Sequence, residues 1–270
     1  MTELWPIALA LAATGAVGGV LAGLLGVGGG IVIVPVLFML LQSMGLEAGP
    51  AMAIATATSL LTIVPTSMSS AWAHHKRGNV DFTLIRTWSL PMFTGVVAGS
   101  LLTSYTSGAG LGIVFGCIAL LVAANMLLRA GSPPLWPALP ALPLQGLLAA
   151  MVGFFSVLMG VGAGTLGVPT MTSFNVKPHR AVGTAALFGL VIALPSSLIL
   201  LLTATTPMGA PSGTVGLVNL PGILLILPGT TLLAPYGVKL GAKLDGRRLK
   251  QVFACFLSLV GLRMLWQSLV

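Results

Sequence analysis

Charge is scarce in this chain: only 6% of its 270 residues are Asp, Glu, Lys or Arg, and the carboxylates number four, Glu3, Glu47, Asp81 and Asp245. They stand far apart, so no paired-carboxylate acid–base site is written into the sequence. Cysteine is scarcer still. Cys117 and Cys255 are too few for a disulfide framework or a Cys/His metal cluster, and each reads as a small packing residue in mid-helix. No phosphate-cradling G-x-x-x-x-G-K-[ST] loop occurs, which argues against direct use of ATP. Neither a cofactor nor a metal is expected, and the short alternating runs of a membrane β-barrel are missing.

Apolar residues fill the space that charge leaves, at 56% of the chain with a mean hydropathy of +1.06. A soluble fold of this length has no core large enough to hide that much apolar surface. The apolar runs are about twenty residues long, as helices crossing a ~30 Å hydrocarbon layer must be. The expectation is an all-α integral membrane protein. The net charge of +8 sits in short loops between apolar helices, where it orients the chain in a membrane; nucleic acid is not an expected partner.

A pattern written twice gives the organisation. G-V-G-G-G-I-V-I-V-P at 26–35 returns as G-V-G-A-G-T-L-G-V-P at 160–169, a fixed offset of 134 residues. Breakers and hydropathy divide the chain into ten segments, 4–25, 31–44, 51–73, 82–103, 110–129, 141–159, 165–176, 181–203, 217–237 and 248–269. The halves align with Thr56 on Thr184, Pro65 on Pro195, Asp81 on Asn219 and Pro91 on Pro228; Cys117 and Met126 meet Cys255 and Met264 at an offset of 138. Residues 1–130 form one five-segment unit, 131–140 a Pro-rich linker, and 141–270 the second unit.

Five is odd, so two units in series enter a membrane from opposite sides as inverted repeats. If all ten segments cross, one face collects Lys76, Arg77, Arg86, Arg129, Lys177, Arg180, Lys239, Lys243, Arg247, Arg248 and Lys250, every basic residue except Arg263. By the positive-inside rule that face is cytoplasmic and both termini lie outside. Counting each glycine-interrupted pair as one span gives eight crossings and scatters the basic loops over both faces. Ten is the favoured count.

Segments 2 and 7 fall below the ~17 residues that a spanning helix needs. Read as discontinuous or re-entrant helices, they begin inside the bilayer and leave their first N–H groups without intrahelical partners, which with the helix dipole makes an anion site. Gly28, Gly29, Gly30, Gly162, Ala163 and Gly164 are the candidate backbone residues, the glycines admitting close approach and φ > 0 where required. Thr56, Ser59 and Thr184, in the small hydroxyl-bearing stretches that follow, are candidate donors; Thr58 is a weaker one. The competing reading gives these hydroxyls to the i−4 carbonyl of their own helix and the glycine elements to helix packing, as Gly15, Gly19 and Gly23 are assigned.

Together with H-H-K-R-G-N-V-D at 74–81 and G-A-K-L-D-G-R-R-L-K-Q-V-F at 241–253, these elements make the chain resemble the TauE/SafE sulfite-exporter-like permeases over nearly its whole length. The resemblance implies a bacterial inner-membrane carrier of small sulfur-containing anions such as sulfite, sulfonates or sulfoacetate. His75 and Asp81, within the family-like stretch, are candidates for a gating or proton-linked element, a His being able to titrate near neutral pH. Alternating access about the glycine elements is the first functional reading. A membrane enzyme and a structural subunit of a larger complex are the alternatives, and homodimer formation is left open.

Overall fold

The computed structural model describes residues 4–105, 108–128 and 133–269; Glu3, Arg129 and linker residues 131 and 132 lie outside them. Ten helices follow in order: α1 (Leu4–Leu25), α2 (Gly30–Ser43), α3 (Ala48–His75), α4 (Phe82–Tyr105), α5 (Gly108–Leu128), α6 (Leu142–Met159), α7 (Gly164–Ser173), α8 (Pro178–Thr203), α9 (Leu220–Gly241) and α10 (Gly246–Leu269). Each matches one expected segment, because apolar runs bounded by Gly, Pro and charge leave the backbone no other way to satisfy its hydrogen bonds in a lipid environment. Among the described residues α1, α3, α5, α6, α8 and α9 are each long and apolar enough to cross a bilayer. The chain is a multi-pass, all-helical membrane protein. One element is absent from the sequence reading. A two-stranded hairpin, β1 (Thr214–Val215) with β2 (Val218–Asn219), precedes α9, which therefore begins at Leu220 and not near 217.

Small residues set the packing. Gly15, Gly19 and Gly23 of α1 lie on the backbone of Ile226, Gly229 and Ala234 of α9, residue numbers rising together, so the two helices run parallel. In α4, Gly95 and Gly99 meet Ala150 and Phe154 of α6 in the same parallel sense. Backbones brought this close gain dispersion contacts that lipid tails would otherwise supply. α3 packs on α8 with numbers running oppositely: Gly183 lies beside Asn79, and Gly189, further along α8, beside Ser67 in mid-α3. Several helix pairings recur when the first five helices are exchanged for the last five, although α3 on α5 has no comparable counterpart in α8 on α10 among the described residues. α1 on α9 answers to α6 on α4, α3 on α9 to α8 on α4, and α2 on α3 to α7 on α8, while α5 pairs with α10.

Cys117 and Cys255 are free thiols and both are exposed, so neither is the packing residue expected from its mid-helix position. Helix faces turned away from the bundle are apolar whatever residue fills them, and burial is not readable from hydropathy there.

A side chain at Gly23 would overlap the Ala234 carbonyl, whereas a methyl group at Gly146 would sit 3.6 Å from the Pro91 ring in ordinary contact. Gly23→Val is expected to lower the unfolding temperature in detergent and the yield of monodisperse protein, overpacking costing about 1–3 kcal/mol. Gly146→Ala should leave both unchanged or improved.

Candidate functional site

The two glycine elements are breaks in helices, and they meet. α1 ends at Leu25 and α2 starts at Gly30; Gly26, Gly28 and Gly29 between them all take left-handed φ, at 69°, 72° and 83°. The chain reverses there, since Gly18 of α1 lies within van der Waals distance of both Gly29 and Ile33. In the second break, residues 160–164, Gly160 alone is left-handed, at 65°, as the αL cap of α6. Gly162 and Gly164, also candidates for positive φ, do not adopt it; close approach explains them instead. A Cβ on Gly162 would stand 2.6 Å from the Val27 carbonyl oxygen, and one on Gly164 would collide with Gly26 and Val27. Gly30 in turn lies on the Gly160 carbonyl and Val161. The Gly162 N–H donates to the Val27 C=O at 3.0 Å, joining the breaks backbone to backbone.

Both following helices are short. At 14 and 10 residues, α2 and α7 are about 21 and 15 Å long. The first N–H groups of each have no intrahelical acceptor, and in α2 intrahelical bonding begins with Val32 and Ile33, both donating to Gly29. Ala163 opens α7 in helical conformation, its carbonyl accepting from Gly167 at 2.6 Å. Every residue from Met159 to Thr165 is buried, as is every residue from Leu24 to Pro35.

The hydroxyl candidates divide into three kinds. Ser59 donates to the Gly160 carbonyl at 2.7 Å and so braces the break in the other half. Thr56 packs its Cα and methyl group against Gly160, while its buried Oγ1 makes no hydrogen bond within the protein. Thr184 is fully engaged: it donates to the Arg180 carbonyl at 2.7 Å and accepts the Asp81 N–H at 2.9 Å. Thr58 accepts the Asn219 N–H at 2.9 Å in the same way. The counterpart of Thr184 is therefore Thr58, and the alignment of Thr184 with Thr56 is displaced by two residues. Asp81 and Asn219 correspond as aligned. Each precedes a helix, α4 or α9, and accepts from N–H groups of its first turn, Asp81 from Thr83 and Leu84, Asn219 from Gly222. Two capped helix starts thus dock by their own N–H groups onto a threonine in the opposite half.

Sequence reasoning passed over Thr165, Ser156 and His74. Thr165 in the first turn of α7 and Ser156 in the last turn of α6 carry buried hydroxyls without a hydrogen-bond partner. The signal for Thr165 was its place in the glycine run. His74, not its neighbour His75, is buried, with Nε2 2.9 Å from the Gly23 carbonyl at the end of α1. His75 is exposed and meets the Phe82 ring edge-on at 5.5 Å. Asp81 pairs with Arg180 at 3.1 Å. Asp81 and His75 stand among the exposed Lys76, Arg77 and Arg180, and Asp81 reaches towards the first break through Thr184, two residues from the Val182 carbonyl on which Gly26 lies. Every described lysine and arginine side chain is exposed, so the crossing offers only neutral donors.

Buried, backbone-lined breaks in a helix bundle recur in membrane transporters, where interrupted helices line the substrate site. Residues 11–264 match the family model described as Sulfite exporter TauE/SafE, and the chain belongs to that family. It is 29% identical to a probable membrane transporter protein of Haemophilus influenzae, covering 93% of this chain and 95% of the relative. It is 26% identical to the probable membrane transporter protein YunE of Bacillus subtilis, covering 96% and 97% respectively. No solved structure matches it significantly.

Thr58→Val and Thr184→Val each strand an N–H, at an expected cost of about 1–3 kcal/mol, with the larger loss at the more deeply buried Thr58 contact. Thr56→Val, which removes a hydroxyl bonded to nothing, should leave thermal stability in detergent unchanged or raised. A destabilised Thr56→Val would mean that its hydroxyl has a structural partner.

Proposed function

We propose that this protein is a secondary carrier of small sulfur-containing anions, sulfite, sulfonates or sulfoacetate, which it moves across the bacterial inner membrane by alternating access. The observation that carries the reading is the glycine crossing: two helices begin in the protein interior, nose to nose, with unbonded first-turn N–H groups and the unpaired hydroxyls of Thr56 and Thr165 beside them. Donors with no partner, buried among apolar helices, are costly unless they serve a ligand, and N–H groups at a helix start favour an anion. Gly28, Gly29, Gly30, Thr56, Ser59, Gly162, Ala163 and Gly164 are the residues proposed to surround it. Thr184 acts one step away, in the contact that closes the basic end. The family description, which names a sulfite exporter, supports the substrate class.

Alternating access needs two units that exchange roles. The antiparallel packing of α3 on α8 and the recurrence of three helix pairings on exchange of the halves support oppositely inserted repeats, with all ten helices entering the membrane and both termini outside the cytoplasm. In this arrangement the Asp81–Thr184 contact, reinforced by Arg180, closes the cytoplasmic end, and the Asn219–Thr58 contact closes the other. An oxyanion would draw N–H groups that now face the partner element, parting the two breaks. His75, whose ring meets Phe82 beside the first of these contacts, is a proposed member of the gate.

Reconstituted protein should take up radiolabelled methanesulfonate or sulfite down a gradient. Thr56→Val should lower that flux about ten- to hundredfold, the worth of one hydrogen bond to a charged group at about 1.5–3 kcal/mol. If the crossing is only a packing seam, Thr56→Val keeps full flux. Proteoliposomes carrying His75→Ala should lose the pH dependence of transport, and a profile unchanged from wild type removes His75 from the gate.

A further inference from the structure

Because α1 stops at Leu25, the carbonyls of its last turn must find donors beyond the helix. Ala22 takes the Gly26 N–H at 2.9 Å, and Gly23 takes the imidazole of His74, from the last turn of α3, at 2.9 Å. A carbonyl only accepts, so Nε2 carries the hydrogen and Nδ1 is left as the acceptor. Nδ1 is buried and makes no hydrogen bond within the protein. One donor is all that Gly23 requires, and enclosing a second, unsatisfied nitrogen carries a cost that a residue serving helix packing alone would not incur.

The backbone of His74 holds a second element. Its carbonyl accepts the N–H groups of Arg77 and Asn79, each at 3.1 Å, which closes the turn leading from α3 to α4 around the left-handed Gly78, with φ 68°. The far side of that turn docks on the start of α8: a Cβ on Gly183 would strike the Asn79 carbonyl, and the Asp81 N–H donates to Thr184 at 2.9 Å. One residue earlier in α8, the Val182 carbonyl lies against Gly26, where a Cβ would stand 2.5 Å away. These contacts form a ring from α1 to His74, from His74 to the turn at 76–81, from the turn to residues 182–184, and from there back to Gly26 at the break. His74 bonds to two sides of the ring, by side chain to α1 and by backbone to the turn. Among the described residues the second half has no such tie. At the 134-residue offset Gly23 corresponds to Val157, whose carbonyl accepts the Gly160 N–H at 2.9 Å, and α8 ends on Leu201, Leu202 and Thr203.

We infer that His74 is a positioning residue that ties the Asp81–Thr184 contact to the first glycine break, so that the two move together when an anion binds. The inference rests on the anion-carrier reading above. Its test uses Val80→Cys, a buried position beside Asp81, as the reporter in a chain with Cys117→Ser and Cys255→Ser, labelled by a maleimide in lipid nanodiscs. Methanesulfonate should change the labelling rate at least threefold. His74→Leu, or His74→Asn if that variant does not fold, should abolish this change and raise the rate without methanesulfonate at least threefold. His74→Gln, whose amide is long enough to reach the Gly23 carbonyl, should keep both parent values. Ser69→Ala, which removes the bond from α3 to the Thr231 carbonyl of α9, controls for loosened packing and should leave both unaltered. Carriage of methanesulfonate with no effect on labelling, an undiminished effect in folded His74→Leu or His74→Asn, or an equal loss in Ser69→Ala overturns the tie. If methanesulfonate is neither carried nor alters labelling, the anion-carrier reading fails instead; the tie is then judged by the rate without it, which His74→Leu raises if the tie exists and leaves unchanged if it does not.

Discussion

The constraint on which this structure depends is that a backbone group deep in a membrane protein must find a partner inside the protein. The ten helices meet it along most of their length by intrahelical bonding. The exceptions lie at Gly26–Gly30 and Gly160–Gly164, where the helices stop in the interior and bonding becomes mutual: the Val27 carbonyl takes the Gly162 N–H, and the Gly160 carbonyl takes the Ser59 hydroxyl. Neither break is satisfied without the other half of the chain. The crossing is thus both the joint between the two units and the place where donors are left over.

The same economy governs the ends of the bundle. Asp81 and Asn219 use their side chains to cap the helices that they begin and their N–H groups to bind Thr184 and Thr58. One residue therefore couples a helix start to a contact between halves. The chemical difference within the pair matters: the aspartate recruits Arg180, half-exposed, and the asparagine recruits Thr214 of the hairpin. An ion pair open to solvent adds little stability, about 0–1 kcal/mol, but answers to passing anions and salt as an amide does not. Similar backbones with different caps give each end its own sensitivity.

Much of the helical frame was legible because period and breakers act locally. The ten segments, the shortness of α2 and α7, and the correspondence of Asp81 with Asn219 follow from composition and repetition, whereas their capping of α4 and α9 does not. The hairpin at 214–219 escaped because four strand residues between turns carry no periodicity. The exposed positions of Cys117 and Cys255 escaped because lipid-facing and buried residues are equally apolar. The register of the hydroxyls escaped for another reason. Thr56, Thr58 and Ser59 lie within one turn of helix, and only the neighbours of each decide that Thr58 is bonded across the halves, Ser59 braces a break and Thr56 is unpaired.

By itself the sequence determined that this is a duplicated, all-helical membrane protein of the TauE/SafE family with interrupted helices at Gly26–Gly30 and Gly160–Gly164, because hydropathy, glycine and proline act within a few residues of where they stand. Only the tertiary structure decided that the interruptions touch, that Gly160 and not Gly162 turns left-handed, and that His74 and not His75 is enclosed. Those outcomes depend on which backbone arrives from the far half of the chain, and the free energy of a hydrogen bond or a buried methyl group is fixed by that partner, not by the residue alone.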